Sequence, residues 1–304
     1  MSAGAGAMSP DRTIEPREVP LGGLRGLLVH RTLPSKEIPL IGAWCFLDHF
    51  GPTDHRMQVL PHPHTGLQTV TWPLVGRIRH RDSLGSDLVL EPGELNLMTS
   101  GDGVSHSEFS EGEPGPMHGL QLWVALPDHR RGGPAAFEHH PDLPEVEGPG
   151  WSGVVLAGSF AGATSKATVH TPLVGVELRL EPGRHEFDLD PAFEHGVLAV
   201  DDAVTVAGRS VPHRSLQYLA PGRARLALEV ERPTIVLLIG GEPFEEEIVM
   251  WWNFIGRSHE EITAAREDWE AHEPRYGHVD GHDGQVIPAP PMPHVRLRPR
   301  VRRA

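Results

Sequence analysis

Between residues 14 and 240 apolar and polar positions alternate over short runs, and Gly or Pro breaks each run. A period of two marks a half-buried strand, because successive side chains point to opposite faces. Leu24–Val29, Leu67–Leu74, Ile78–Asp82, Asp87–Leu90 and Leu95–Thr99 fit that period. Between them Val75-Gly76-Arg77, Ser83-Leu84-Gly85-Ser86 and Glu91-Pro92-Gly93-Glu94 read as turns. The last has Pro where φ must be fixed and negative and Gly where φ must be positive, the type II arrangement. Many short strands at this spacing predict an all-β sandwich or barrel.

The pattern partly repeats. Leu180-Glu181-Pro182-Gly183 copies Leu90-Glu91-Pro92-Gly93, and the 29 positions from His64 to Gly93 approach the 27 from His195 to Gly222. Two copies of one β unit are expected, over 14–130 and 150–248, joined by a linker at 131–149 rich in Pro, Gly, Glu and His. Residues 1–13 read as a disordered lead-in. Ser258-His259-Glu260-Glu261 is a capping box, and Ile262, Ala265 and Trp269 then recur at helical spacing until Pro274. The segment 249–304 therefore reads as a short helix and an extended tail. Its last arginines, Arg296, Arg298, Arg300, Arg302 and Arg303, are expected to be solvated.

Charge narrows the function. The 304 residues hold 27 basic and 41 acidic side chains, a net charge of −14. That is the wrong sign for a nucleic-acid binder, whose affinity comes from neutralising phosphates. The longest apolar stretches, such as Ile235–Gly241, fall far short of the roughly 20 residues of a membrane helix, and Met1–Pro10 has no secretory pattern. The single cysteine, Cys45, excludes an intramolecular disulfide framework and a thiolate cage, and fits the reducing cytoplasm. The 20 histidines are out of proportion, and imidazole is the commonest metal ligand, so their spacing matters.

Two segments combine His with the strand period: His62-Pro63-His64 and His106-Ser107-Glu108. Residues i and i+2 of a strand share a face, so each pair can point into one interior. Neighbouring strands lie about 4.8 Å apart, so the two pairs can converge on one ion. Three imidazoles and a carboxylate would leave open positions on an octahedral metal, close to the logic of non-haem iron(II) sites. Structural zinc prefers Cys-rich tetrahedral sites, and only one Cys exists. The bland alternative places His62 and His64 in a Pro-rich surface loop and His106 at a turn; two such pairs in one repeating unit favour the metal.

The chain resembles the pirins, members of the cupin superfamily. The resemblance rests on Ile41-Gly42, Leu47-Asp48-His49-Phe50-Gly51, His62-Pro63-His64 with Gly66, His80-Arg81-Asp82-Ser83 and Pro92-Gly93-Glu94. It continues through Met98-Thr99, His106-Ser107-Glu108, His118-Gly119-Leu120-Gln121-Leu122-Trp123-Val124, Trp251-Trp252-Asn253-Phe254-Ile255 and Ile287-Pro288-Ala289-Pro290. It implies a bicupin: two antiparallel β-barrels of jelly-roll type, with one Fe(II) per chain in the first barrel, held by His62, His64, His106 and Glu108. The second unit lacks both metal-ligand pairs and is expected to be metal-free.

The resemblance leaves two functions open. One is a quercetinase-type dioxygenase acting on a flavonol-like or enolic phenol, with dioxygen as co-substrate and Glu108 as proton acceptor. The other is a regulator that reads iron oxidation through protein contacts. Neither implies direct contact with nucleic acid or membrane. Met98 and Phe109 are candidates for the pocket wall, and His118 and Gln121 for partners that orient the ligands. Pirins commonly carry Arg and then Phe-Glu after the His-Pro-His, where this chain has Thr65, Leu67 and Gln68; the Gly-Arg-Gly turn has Asp102. Gln68 is expected on the same strand and face as His64, near the metal.

Overall fold

A computed structural model describes residues 11–21 and 27–300. In the first half eight strands follow one another: Trp44–Thr53, Gln58–His64, Leu67–Val75, Arg77–Asp82, Asp87–Leu90, Leu95–Thr99, Val104–Glu111 and Met117–Ala125. The first, third, sixth and eighth belong to a seven-stranded sheet, and the other four form a smaller sheet facing it. The eight strands from Leu173–Leu180 to Thr234–Gly241 repeat that alternation. The protein is thus all-β with two jelly-roll cupin domains, built from facing sheets rather than closed barrels. The strand expected at Leu24–Val29 lies partly outside the described residues; the observed one is Leu28–Leu33.

The repeat is present, but its sequence markers are displaced. Pro92-Gly93 leads from the small sheet to the large one, whereas Pro221-Gly222 leads from large to small. His195 therefore lies on the strand equivalent to that of Gln68, not of His64.

The large sheets pack face to face. Their shared core joins Trp44, Val70, Trp72 and Leu122 of the first domain to Leu156, Leu198, Tyr218 and Leu237 of the second. Trp72 Nε1 donates to Glu177 Oε2 at 2.6 Å, and Trp44 Nε1 lies 3.2 Å from the carbonyls of Val174 and Gly240. Gly42 has φ +53°, and a Cβ there would come within 2.7 Å of the Gly241 Cα, so glycine permits this approach. Between the sheets of the second domain the space is filled by Val176, Leu178, Val197, Leu226, Leu228 and Leu238. In the first, Val29, Phe50, Val59, Ile78 and Leu90 form an apolar cluster, and elsewhere between the sheets lie buried histidines.

Three connecting segments depart from expectation. The stretch read as a linker contains Ala136–His140, which pairs with Leu95–Thr99, and Glu145–Gly148, which pairs with Trp151–Ala157. Both are edge strands, where polar and charged residues are the rule, so composition alone mimics a loop. The lead-in is ordered from Asp11: Arg12–Ile14 pairs with Leu216–Tyr218 of the second domain. Residues 1–10 lie outside the described part. The helix runs His259–Glu270, with Ser258 Oγ accepting from the Glu261 amide and Ile262, Ala265 and Trp269 buried. The Glu261 side chain reaches the amide of Arg257 rather than that of Ser258. Beyond it the chain returns to the first domain, where the Ile287 amide donates to the Pro61 carbonyl at 2.8 Å and Ser105 Oγ to that of Tyr276. The described tail arginines Arg296, Arg298 and Arg300 are exposed, and Arg296 also makes a two-pronged contact with Glu260.

Candidate metal centre

One small sheet supplies the histidines. Gln58–His64, Val104–Glu111 and Arg77–Asp82 are neighbours in it, with His106 opposite His62 on one side and opposite Asp82 on the other. Each strand thus brings an i, i+2 pair to the cluster: His62 and His64, His106 and Glu108, His80 and Asp82. The ring centroids of His62, His64 and His106 lie 4.5–4.9 Å apart, and all three side chains are buried.

Hydrogen bonds set which nitrogens converge. His62 Nδ1 donates to the Leu60 carbonyl at 2.9 Å, leaving Nε2 free. Asp82 is pinned by the backbone amides of Leu84 and Ser86, and accepts from His80 Nε2 at 3.0 Å. His80 Nδ1 faces His106 Nδ1 at 3.4 Å. His106 Nε2 is thereby turned to His64 Nε2, 3.1 Å away. Cis ligands of an octahedral ion at about 2.1 Å would be about 3.0 Å apart, so the spacing suits a bound cation. The electrostatics agree. Burial lowers the His62 pKa to about 4, and burial plus neighbouring histidines drives those of His64 and His106 well below the usual value. Neutral imidazoles are what a metal requires.

Glu108 gathers with His106 and His80 within 4.8 Å, a second group overlapping the three-histidine one. Burial raises its pKa, partly offset by His80 and by the Thr71 hydroxyl, which lies 2.9 Å from Glu108 Oε1 and 3.0 Å from Gln121 Oε1. With the Gln121 amide turned to donate to Thr71 Oγ, the hydroxyl proton goes to Glu108 and all three groups are satisfied.

A cavity of about 210 Å³ opens beside the histidines, lined also by Glu108, Gln121, Phe46 and Trp123. Trp123 stacks on Phe46 at 3.9 Å and meets the edge of His64 at 5.3 Å. Arg31 lies over the other ring, 4.3 Å from the Phe46 centroid, and forms a two-pronged ion pair with the fully buried Asp48 at 2.7 Å. Leu21, Trp252 and Ile287 cover the outer side.

Gln121 lines the cavity, and four other candidates do not. Gln68 lies across the Thr65-Gly66 turn from His64, in the opposite sheet. Gly66 has φ +69° there, and a Cβ would meet the Ile255 carbonyl oxygen at 2.3 Å. The Gln68 amide faces the second domain, donating to Thr99 Oγ and to the Thr168 carbonyl. Phe109 adjoins Glu108, so alternation turns it outward, 5.2 Å from the His282 ring. His118 Nε2 lies 2.7 Å from His49 Nε2, at a register shift, and the His49 ring is in turn 6.3 Å from that of His213 in the second domain. Met98 is buried opposite Thr69 and does not line the cavity. His80 is the residue with no predicted role; its His-x-Asp spacing repeats that of the two candidate pairs and was the available signal.

Two predictions follow from these placements. Gln68→Glu should leave metal affinity unchanged and destabilise the fold by about 1–3 kcal/mol, because it buries a carboxylate against a carbonyl; metal titration and urea unfolding read the two effects separately. His80→Gln should weaken metal binding about 10–100-fold without unfolding the protein, since it frees the ring of His106; unaltered affinity in a competition titration would remove His80 from the site.

Two facing jelly rolls with a buried histidine cluster in the first define a bicupin with a candidate metal centre. Residues 26–124 match the Pirin family and residues 175–274 its Pirin C-terminal cupin domain. The chain belongs to the pirin family. A Pseudomonas aeruginosa protein named "Putative quercetin 2,3-dioxygenase" is 43% identical over 91% of this chain and 89% of its own length. A Caulobacter vibrioides pirin-like protein is 36% identical over 92% of this chain and 99% of its own. A crystal structure of quercetin 2,3-dioxygenase from Acinetobacter baumannii matches with a TM-score of 0.91 at 41% identity, covering 96% of this chain and 98% of that one. Among the described residues no helix is long and apolar enough to cross a membrane.

Proposed function

We propose that the protein is a metal-dependent dioxygenase of quercetinase type, cleaving a flavonol-like or enolic phenol substrate with dioxygen. The observation that carries this reading is the convergence of three buried imidazoles beside a buried carboxylate and an aromatic-walled cavity. His62, His64, His106 and Glu108 would hold one divalent ion per chain, and the donor set suits Fe(II). When bound, the ion supplies Lewis acidity that favours the ionised form of a substrate hydroxyl.

The protein's part is positioning and proton transfer. Trp123, backed by Phe46 and by Arg31 over Asp48, offers a flat wall against which a planar ring can lie. Glu108, raised in pKa by its dry surroundings, accepts the proton of the substrate hydroxyl, and Thr71 holds the carboxyl in place. Leu21, Trp252 and Ile287 keep bulk water from the reacting face.

Oxygen consumption on adding quercetin or a simpler enolic phenol to the iron-loaded protein is the test. Turnover that ceases on chelation is expected. No turnover across a panel of such phenols, together with capture of a protein partner that depends on iron oxidation state, would favour the regulator.

A further inference from the structure

The metal cavity, at about 210 Å³, is smaller than the roughly 300–1,000 Å³ typical of small-molecule sites. It does not end there. A vestibule of about 350 Å³ adjoins it and shares Leu21, Phe46, Trp123 and Trp252 as walls. A substrate larger than a single small ring must occupy both.

The vestibule reverses the sign of the rest of the molecule. Its charged lining residues are Arg17, Arg31 and Arg300, with no carboxylate among them, on a chain of net charge −14. Arg31 is committed to Asp48. Arg17 donates to the neutral Pro34 carbonyl at 2.7 Å, and among the described residues neither Arg17 nor Arg300 pairs with a carboxylate. Partial desolvation, and then repulsion from Arg17, lower the Arg300 pKa, although the residue keeps much of its surface in solvent. Of three guanidiniums at the mouth of the site, only Arg31 is thus paired with a carboxylate. Arg300 belongs to the basic tail, so the tail has a place in the structure that charge counting alone did not assign.

We propose that the vestibule receives the anionic group of the substrate, a carboxylate carried by a planar enolic or catecholic compound, while its vicinal oxygens point to the histidines. This rests on the dioxygenase reading for the inner end and on Arg17 and Arg300 for the outer one. Guanidinium suits a carboxylate because its planar fork presents paired donors.

The test is ligand binding under nitrogen, which prevents turnover, followed by quenching of tryptophan fluorescence. The probes are 3,4-dihydroxycinnamate and its methyl ester, which differ in charge but share the catechol. Wild-type protein loaded with iron should bind the acid about tenfold tighter than the ester at low salt, and less selectively as salt is raised. The Arg17→Gln/Arg300→Gln double variant should bind both about equally, with the ester affinity unchanged. Both side chains are exposed, so the variant should fold; Arg31 is left in place to keep Asp48 paired. Equal affinities in the wild type, or a preference for the acid that the double variant retains, would overturn the proposal. Failure of the dioxygenase reading shows differently: quercetin is not consumed and His106→Ala binds the ester as wild type does. An acid preference that still disappears in the double variant then leaves the anion site standing.

Discussion

Glu108→Gln should keep most of its metal and lose about 10²–10⁴-fold in turnover of an enolic phenol, the usual contribution of a positioned general base. The amide matches the carboxylate in size and can still meet Thr71, which lies 2.9 Å from Glu108 Oε1. Three imidazoles remain for the ion. What disappears is the ability to take a proton. Steady-state oxygen uptake, measured on samples whose metal content is known, separates this from metal loss. A rate within about threefold of wild type would show that the proton leaves by another route.

Trp44→Ala should cost about 3–5 kcal/mol of stability, as expected for emptying a large buried aromatic site. Trp44 is 1% exposed and sits in the core that both domains share, with its indole nitrogen against two carbonyls of the second domain. The loss therefore includes the packing of one domain on the other. Chemical unfolding should show a transition at lower denaturant. A change below about 1 kcal/mol would mean that the interface relaxes to fill the hole.

The clustering of the candidate ligands was legible because a strand repeats every two residues, so His-x-His and His-x-Glu each state a shared face. The same rule placed Phe109 outside, opposite to Glu108, against the expectation that it lines the pocket. The period of two does not carry from His64 to Gln68, because Gly66 turns the chain into the other sheet between them. His118 sits at a register shift, which periodicity cannot reveal. The two-domain pattern was readable from repeated strand–turn rhythm, but Pro-Gly turns are common and aligned the copies out of step. Edge strands at Ala136–His140 and Glu145–Gly148 carried the composition of a linker. The vestibule joins Arg17 to Arg300, residues from opposite ends of the chain that only the fold brings together.

The central claim is that His62, His64 and His106 hold a metal ion, and metal content measures it most directly. Protein purified without oxygen and loaded with iron(II), then freed of excess metal, should hold about one equivalent, and His106→Ala, treated alike, less than about a tenth of one. His106→Ala protein that folds normally and retains the same iron content as wild type would contradict the account.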